Sequence, residues 1–196
     1  MTVRPRILAS RVLRPGEPPD VAFVPPLLRR RLSPLQKIFF HLAHLEGTSA
    51  PANIVFATRD GEDTLTRRIV EDFQADGSVS PQRFSTSVYN AAPGLWSVLA
   101  HDRSAYTAVA AGEDTIECGL IEALAGSGRM TYVYAEETGG GYGTAVLIDE
   151  VVGGRRLSVT DGDPQAGPIG FDAWVAFLRG ERRELRGRWL TLRDAT

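Results

Sequence analysis

Hydrophobic positions along the chain fall into short blocks whose period changes from one block to the next. In LQKIFFHLAHL (35–45) the apolar residues Leu35, Ile38, Phe39, Leu42 and Leu45 recur at helical spacing. Ser33 and Pro34 just ahead supply a cap and a first-turn proline, so a helix is predicted to start there. The block ANIVFA (52–57) is too short for a helix and apolar almost throughout, as expected of a strand covered on both faces. Residues 58–61 then turn the chain into a second amphipathic helix over about 63–75, with Leu65, Ile69, Val70 and Phe73 expected to face inward. Strand, short turn and long helix in that order predict a layered α/β domain with parallel pairing.

The same reading places a first strand at 2–8, followed by a proline-rich extended segment from Pro15 to Pro26. Ser80-Pro81 is a second capping pair, and one helix is expected to run from there through Ser85, Thr86, Ser87, Tyr89 and Asn90 to Pro93-Gly94. Residues 105–110 (AYTAVA) read as a buried strand. Glu113 and Asp114 then open a helix whose inner face is Ile116, Leu120, Ala123 and Leu124, with Gly119 thinned to admit a neighbour. Two strands at 129–136 and 142–152 flank Gly139-Gly140-Gly141, most simply a hairpin. A strand at 155–159, a loop, a short helix at 171–178 and an arginine-rich tail complete the chain, with a possible boundary near 153–170.

Composition narrows the classes. The 196 residues carry 22 Lys+Arg against 24 Asp+Glu, and that near-balance gives no global reason to expect nucleic acid as a partner. One cysteine, Cys118, excludes an intrachain disulfide and a Cys-rich zinc site. No run approaches the length of a membrane span, and the arginine- and proline-containing start is not a secretory signal, so a cytoplasmic protein is expected.

The chemistry-bearing residues form no recognisable constellation. His41 and His44 share a helix side without a third ligand, and His101 lies between elements, so no metal is expected. Cys118 sits inside a helix, away from the N-terminal dipole that would activate it. Ser85 and Ser87 lack an evident histidine partner; a serine-dependent acyl hydrolase is the enzyme reading they leave open. The GGGYG string (139–143) precedes a strand rather than a helix and lacks the P-loop lysine, so no phosphate cradle and no cofactor is expected. Arg29, Arg30 and Arg31 could meet an anionic partner.

Five segments taken in order are more specific than any single residue: FVPPLLRRRLSPLQK (23–37), IVFATRDGE (54–62), VSPQRFSTSVYNAAPGLWSV (79–98), TAVAAGEDTIECGLIEAL (107–124) and YVYAEE (132–137). Together they resemble the short beta-ketoacyl synthase-like N-terminal domain family, strongest over 22–152, whose members accompany fatty-acid, aryl-polyene and related polyketide clusters. The resemblance implies an α/β, layered, thiolase-like half fold, the N-terminal half of a condensing enzyme, with a mixed sheet and helices. It makes 1–196 a single such domain with 153–196 as a C-terminal extension.

In a full condensing enzyme a nucleophilic cysteine follows the strand in T-A-C-x-S/T-G. The matching string here is Thr107-Ala108-Val109-Ala110-Ala111-Gly112, so Val109 holds the nucleophile position and no catalytic residue is implied. Valine can neither attack a thioester nor donate a hydrogen bond. The resemblance therefore implies a silent, chain-length-factor-like subunit that forms a heterodimer with a complete ketosynthase. Tyr106, Thr107, Ala108, Val109, Phe84 and Asn90 become interface or acyl-tunnel residues, and Arg29, Arg30 and Arg31 docking residues for a phosphopantetheinyl acyl carrier protein. A stand-alone carrier-docking or regulatory module is the remaining alternative.

Overall fold

A computed structural model describes residues 5–45, 52–150 and 154–195. Eight strands form one mixed sheet in the order β3-β2-β4-β5-β1-β6-β8-β7. They are β1 (Arg6–Leu13), β2 (Asn53–Ala57), β3 (Tyr106–Val109), β4 (Met130–Glu136), β5 (Tyr142–Asp149), β6 (Arg155–Asp161), β7 (Glu184–Arg186) and β8 (Leu190–Asp194). The helices are α1 (Pro26–Arg29), α2 (Pro34–Ala43), α3 (Asp63–Asp76), α4 (Pro81–Thr86), α5 (Ala91–Leu99), α6 (Thr115–Ala125) and α7 (Phe171–Leu178). Strand β2 runs parallel to both β3 and β4, whereas the pairs from β4–β5 outward are antiparallel.

The central strands are buried on both sides, and their side chains alternate between two cores. Val55, Ala57, Tyr132, Tyr134, Val146 and Ile148 face the layer of α6 and α7. Their neighbours Ile54, Phe56, Val133, Ala135, Ala145 and Leu147 face α2 and α5. The period of two thus feeds both helical layers from the same strands. On α2 the Ser33 hydroxyl accepts the Gln36 N–H while Gln36 Oε1 accepts the Ser33 N–H, a reciprocal cap. Gly119 on α6 permits the closest helix–sheet approach, since a Cβ there would lie 2.7 Å from both Ala57 Cβ and Tyr132 Cε2.

Several expectations need correction. The first strand lies at Arg6–Leu13 rather than 2–8, of which residues 2–4 fall outside the described residues; it pairs with β5 and β6. The single helix expected after Ser80-Pro81 is two, α4 and α5, because the Ser87 and Ala91 N–H groups close short turns onto Phe84 and Val88 and break the helical ladder. The proline-rich segment ends in the short helix α1. The arginine-rich tail contains β7 and β8, whose Leu185, Leu190 and Leu192 are buried while the arginines alternate outward. Helix α3 departs most. It buries no residue, and Val70 and Phe73 are 48% and 56% exposed, because the helix lies over α4 instead of the sheet.

Candidate functional site

The parallel strands β3, β2 and β4 end together, and the turns leaving them build the region that the sequence singled out. Val109 closes β3 with its side chain packed against the α6 core and its carbonyl accepting the Thr58 N–H at 3.1 Å. In the turn that follows, the Ala111 N–H donates to Thr115 Oγ1 at 3.0 Å, and the Thr115 hydroxyl donates to the Gly112 carbonyl at 2.7 Å. The Ala111 donor is therefore already engaged, and Val109, two residues before it, carries only hydrocarbon.

The β2–α3 turn is held from below by the last residue of β4. Glu136, fully buried, accepts the Arg59 N–H at 2.5 Å, the Asp60 N–H at 3.2 Å and the Thr58 hydroxyl at 3.3 Å. Burial raises its carboxyl above the ordinary range, and the backbone donors partly oppose that. One turn on, Glu62 is buried against α2, accepts the Gln36 side-chain N–H at 2.9 Å, and is pushed up to about 7 by burial. Glu137 accepts the Thr64 N–H at the start of α3. Tyr89 reaches across from the α4–α5 connection, its hydroxyl donating to the Arg59 carbonyl at 3.2 Å and its ring lying against Gly61. Gly61 takes φ +64, which a side chain would strain. Sequence reading missed these carboxylates and the Tyr89 latch.

The remaining site residues separate. Tyr106 and Thr107 are exposed on β3, Ala108 and Val109 half-buried, and Phe84 and Asn90 exposed on α4 and at the start of α5. These elements adjoin: α3 packs on α4, α4 on α5, and the Tyr106 hydroxyl sits beside Gly94 of α5. Arg30 and Arg31 line a cavity between α1, α2, α3 and α4, whereas Arg29 is half-buried at the end of α1. The Ser85 and Ser87 hydroxyls donate to the carbonyls of Gln82 and Phe84. His41 Nδ1 accepts the Asp20 N–H, His44 stacks on Phe23, and His101 occupies a left-handed turn position, so none of the three meets either serine in a hydrogen bond among the described residues. Cys118 is half-buried, and burial with Asp114 and Glu117 nearby raises its thiol, the opposite of activation. Among the described residues no cluster of three metal-ligating side chains occurs, and no helix is long and apolar enough to cross a membrane.

On the opposite side of α6 the fully buried Glu117 accepts the N–H groups of Arg188, Trp189 and Leu190 at 3.1, 2.5 and 2.6 Å. Arg188 also pairs with Asp114 at 2.9 Å. Trp174 of α7 is buried, and its indole N–H donates to Thr144 Oγ1 of β5 at 2.9 Å. The segment after 153 is thus packed into the same sheet and the same core as the rest.

Comparison with known proteins gives a consistent picture. The chain matches, with a TM-score of 0.78, 20% identity and all of both chains covered, a chain from the solved structure of the ketosynthase ApeO in complex with its chain length factor ApeC from Xenorhabdus doucetiae. That likeness gives the fold: mixed α/β, of the thiolase-like ketosynthase type. No curated protein matches. Residues 8–134, which hold β2, β3, most of β1 and β4, and the helices α1 to α6, match the model of the beta-ketoacyl synthase N-terminal domain, and the chain belongs to that family.

Proposed function

We propose that this protein is a catalytically silent ketosynthase-like subunit that pairs with a complete beta-ketoacyl-acyl-carrier-protein synthase and helps shape its acyl tunnel. It would serve the assembly of fatty-acid-, polyketide- or aryl-polyene-type chains. The observation that carries the reading is the character of one sheet edge and the helices beside it. Among the described residues strand β3 has β2 on one side and no strand on the other, and Tyr106–Val109 includes no charged residue to deter pairing. The other edge, β7, is short and guarded by charge, with Glu184 paired to Arg186 and Arg193.

Exposed apolar side chains lie on the strand and on the chain of helices linked to it, where α5 meets Tyr106, α4 packs on α5 and α3 packs on α4. Val70 and Phe73 of α3, Phe84 of α4, Val88 and Tyr89 of the connection, and Val98 of α5 are all exposed, as is Tyr106 on the strand itself. A surface of this kind on a folded chain is the mark of an association site. Strand addition at β3 would continue the sheet into a partner and bring Phe84, Asn90 and Tyr106 to the boundary between the two subunits. Val109 supports the silent role, since hydrocarbon stands at the nucleophile position. The resolved ApeO complex with its chain length factor supports the pairing by analogy of fold. Arg29, Arg30 and Arg31 are the docking residues for an acidic carrier protein in this reading. Residues 1–196 act in it as one domain, a view supported by Glu117 and Trp174, which tie the C-terminal segment to the core.

Co-expression with the ketosynthase encoded beside it tests the proposal. A stoichiometric heterodimer on size-exclusion with light scattering, and condensation by the pair that differs in product length from the ketosynthase alone, are expected. A stable monomer that leaves the ketosynthase unchanged overturns it.

A further inference from the structure

A cavity of about 520 Å³ opens between the α1–α2 turn, the first two turns of α3, and α4. Its floor includes the buried Gln36, whose Nε2 donates to the buried Glu62 at 2.9 Å and to the Thr86 carbonyl at 3.4 Å, so the three helices are tied together beneath it. The exposed Arg30, Arg31 and Arg68 line its open side and have no carboxylate partner among the described residues. Neighbouring arginines are engaged elsewhere: Arg67 pairs with Asp63 one turn back on α3, and Arg83 pairs with Asp72. The chain carries a net charge of -2, so these three cations are a local concentration and not a by-product of a basic composition.

We propose that this cavity binds the dianionic end of a small, free phosphate monoester, a ligand unconnected with the acyl chain or its carrier. Three guanidinium groups from two different elements border one concavity without a counter-charge, an arrangement that a bound anion relieves. A monoester phosphate carries two charges and three terminal oxygens, so each planar N–H fork can meet an oxygen of its own. A phosphodiester, with one charge and two such oxygens, leaves one arginine unmet. The volume exceeds the need of a bare phosphate and lies in the range of small-molecule sites. Leu28, Leu65, Leu95 and Gln82 line the remainder, which suits a compact and partly apolar organic body on the phosphate. Arg68, in the second turn of α3, is distant in sequence from Arg30 and Arg31 and supplies the third cation from another element. The inference does not rest on the carrier-docking reading: a free monoester here would compete with a carrier for Arg30 and Arg31, and its test uses neither carrier nor ketosynthase.

The chain alone is titrated by calorimetry at about pH 7.5, where a phosphate monoester is a dianion. The probes are phenyl phosphate, its singly charged diester methyl phenyl phosphate, inorganic phosphate and succinate. Phenyl phosphate is expected to bind about tenfold or more tighter than the diester or succinate, as the loss of charge-assisted hydrogen bonds implies. It should also bind more tightly than inorganic phosphate, which has no body to bury against the leucines. Arg68→Ala and Arg31→Ala should each weaken it about tenfold, while Arg179→Ala, exposed and outside the cavity, should not. Arg68→Gln, which keeps the aliphatic stem, guards against loss of fold and should weaken binding likewise. No binding of phenyl phosphate, equal binding of the diester or of succinate, or an inert Arg68→Ala each overturns the proposal. Inorganic phosphate bound as tightly as phenyl phosphate overturns the organic body. No cosedimentation is expected with phosphatidylcholine vesicles containing phosphatidic acid, which present the same monoester on a lipid; sedimentation abolished by Arg68→Ala would overturn the free source.

Discussion

Glu117 of α6 accepts the backbone N–H of Leu190 at 2.6 Å, joining a helix of the family-matched region to the start of β8. The same carboxylate takes the N–H groups of Arg188 and Trp189, and Gly187 lies so close that an added Cβ would meet the carboxylate at 2.4 Å. Three backbone donors of one turn therefore depend on one side chain. Removing an acceptor from buried donors forfeits their desolvation, so Glu117→Ala is expected to destabilise by about 3 kcal/mol or more. Glu117→Gln keeps the oxygen shared by Trp189 and Leu190 but turns an amide toward Arg188, and should fall between. Denaturant unfolding gives the magnitude, and hydrogen exchange at 188–190 should rise ahead of the rest of the chain.

Gly119 makes an equally local prediction. A methyl group at this position would sit 2.7 Å from atoms of both Ala57 and Tyr132, in the layer between α6 and the sheet. Tyr132 cannot swing away freely, since it is buried and its hydroxyl donates to the Ile116 carbonyl at 3.0 Å. Gly119→Ala should raise helix propensity yet destabilise by about 1–3 kcal/mol, because overpacking outweighs the helical gain. A melting temperature equal to or above that of the parent would contradict the tight α6–sheet contact.

The fold was legible where local chemistry and tertiary environment agree. Ser33-Pro34 announced α2, the apolar block ANIVFA at 52–57 announced a strand buried on both sides, and the glycines at 139–141 announced the β4–β5 hairpin. It was not legible where a helix has the right stripe but no cover: α3 reads as inward-facing, yet Phe73 looks outward, because α3 packs on α4 rather than on the sheet. Strands β7 and β8 were hidden by interleaved arginines, although Leu185, Leu190 and Leu192 carry the buried positions. The anchoring acids Glu117 and Glu136 were missed for a different reason, because isolated carboxylates read as surface. Glu117 lies three residues before Leu120 and seven before Leu124 on the apolar side of its helix, a spacing that marks an inward-pointing acid in need of donors.

Glu62 predicts an unusual pH dependence. Its carboxyl titrates near 7 in the folded chain against an ordinary 4.5, because burial disfavours the anion. Between those values the folded state holds a proton that the unfolded state has released, so stability declines as pH rises from about 4.5 to about 7. The raised Glu136 acts in the same direction. The Glu62 contribution is of order 3 kcal/mol as an upper bound. Glu62→Gln keeps an acceptor for Gln36 and carries no charge. It should flatten the profile across this range and unfold at higher denaturant than the parent at pH 8, while matching it near pH 4.

A cysteine placed at Val109, the nucleophile position in the proposed reading, should not confer reactivity. In Val109→Cys the thiol would occupy a place packed against the α6 core, with no histidine among the neighbours described above and with the Ala111 N–H already bound to Thr115. Burial without a cationic partner raises a thiol, as it does at Cys118. Incubation with an acyl thioester followed by intact-mass analysis should give no acyl adduct at 109, and iodoacetamide should modify that cysteine more slowly than a free thiol. Rapid acylation would mean that the site retains the means to activate a nucleophile, and the silent reading would fail with it.

Two phenylalanines separate what holds the monomer together from what is left for a partner. Phe39 is fully buried on α2, where its ring meets Phe56 edge-on with centroids 4.9 Å apart, so Phe39→Ala should cost about 3–5 kcal/mol in the isolated chain. Phe73 on α3 has a ring of the same size but is 56% exposed, and a charge placed there meets water rather than core. Phe73→Asp should leave monomer stability within about 0.5 kcal/mol. In a heterodimer formed across β3, α3 and α4, however, the same aspartate would be desolvated without a partner, and the association should weaken by tenfold or more, as roughly 2 kcal/mol of lost burial and added desolvation implies. Light scattering on mixtures of the variant with the ketosynthase reads the second effect, and unfolding of the variant alone reads the first. A destabilised monomer with intact association would mean that Phe73 belongs to the core after all, and that the open face lies elsewhere.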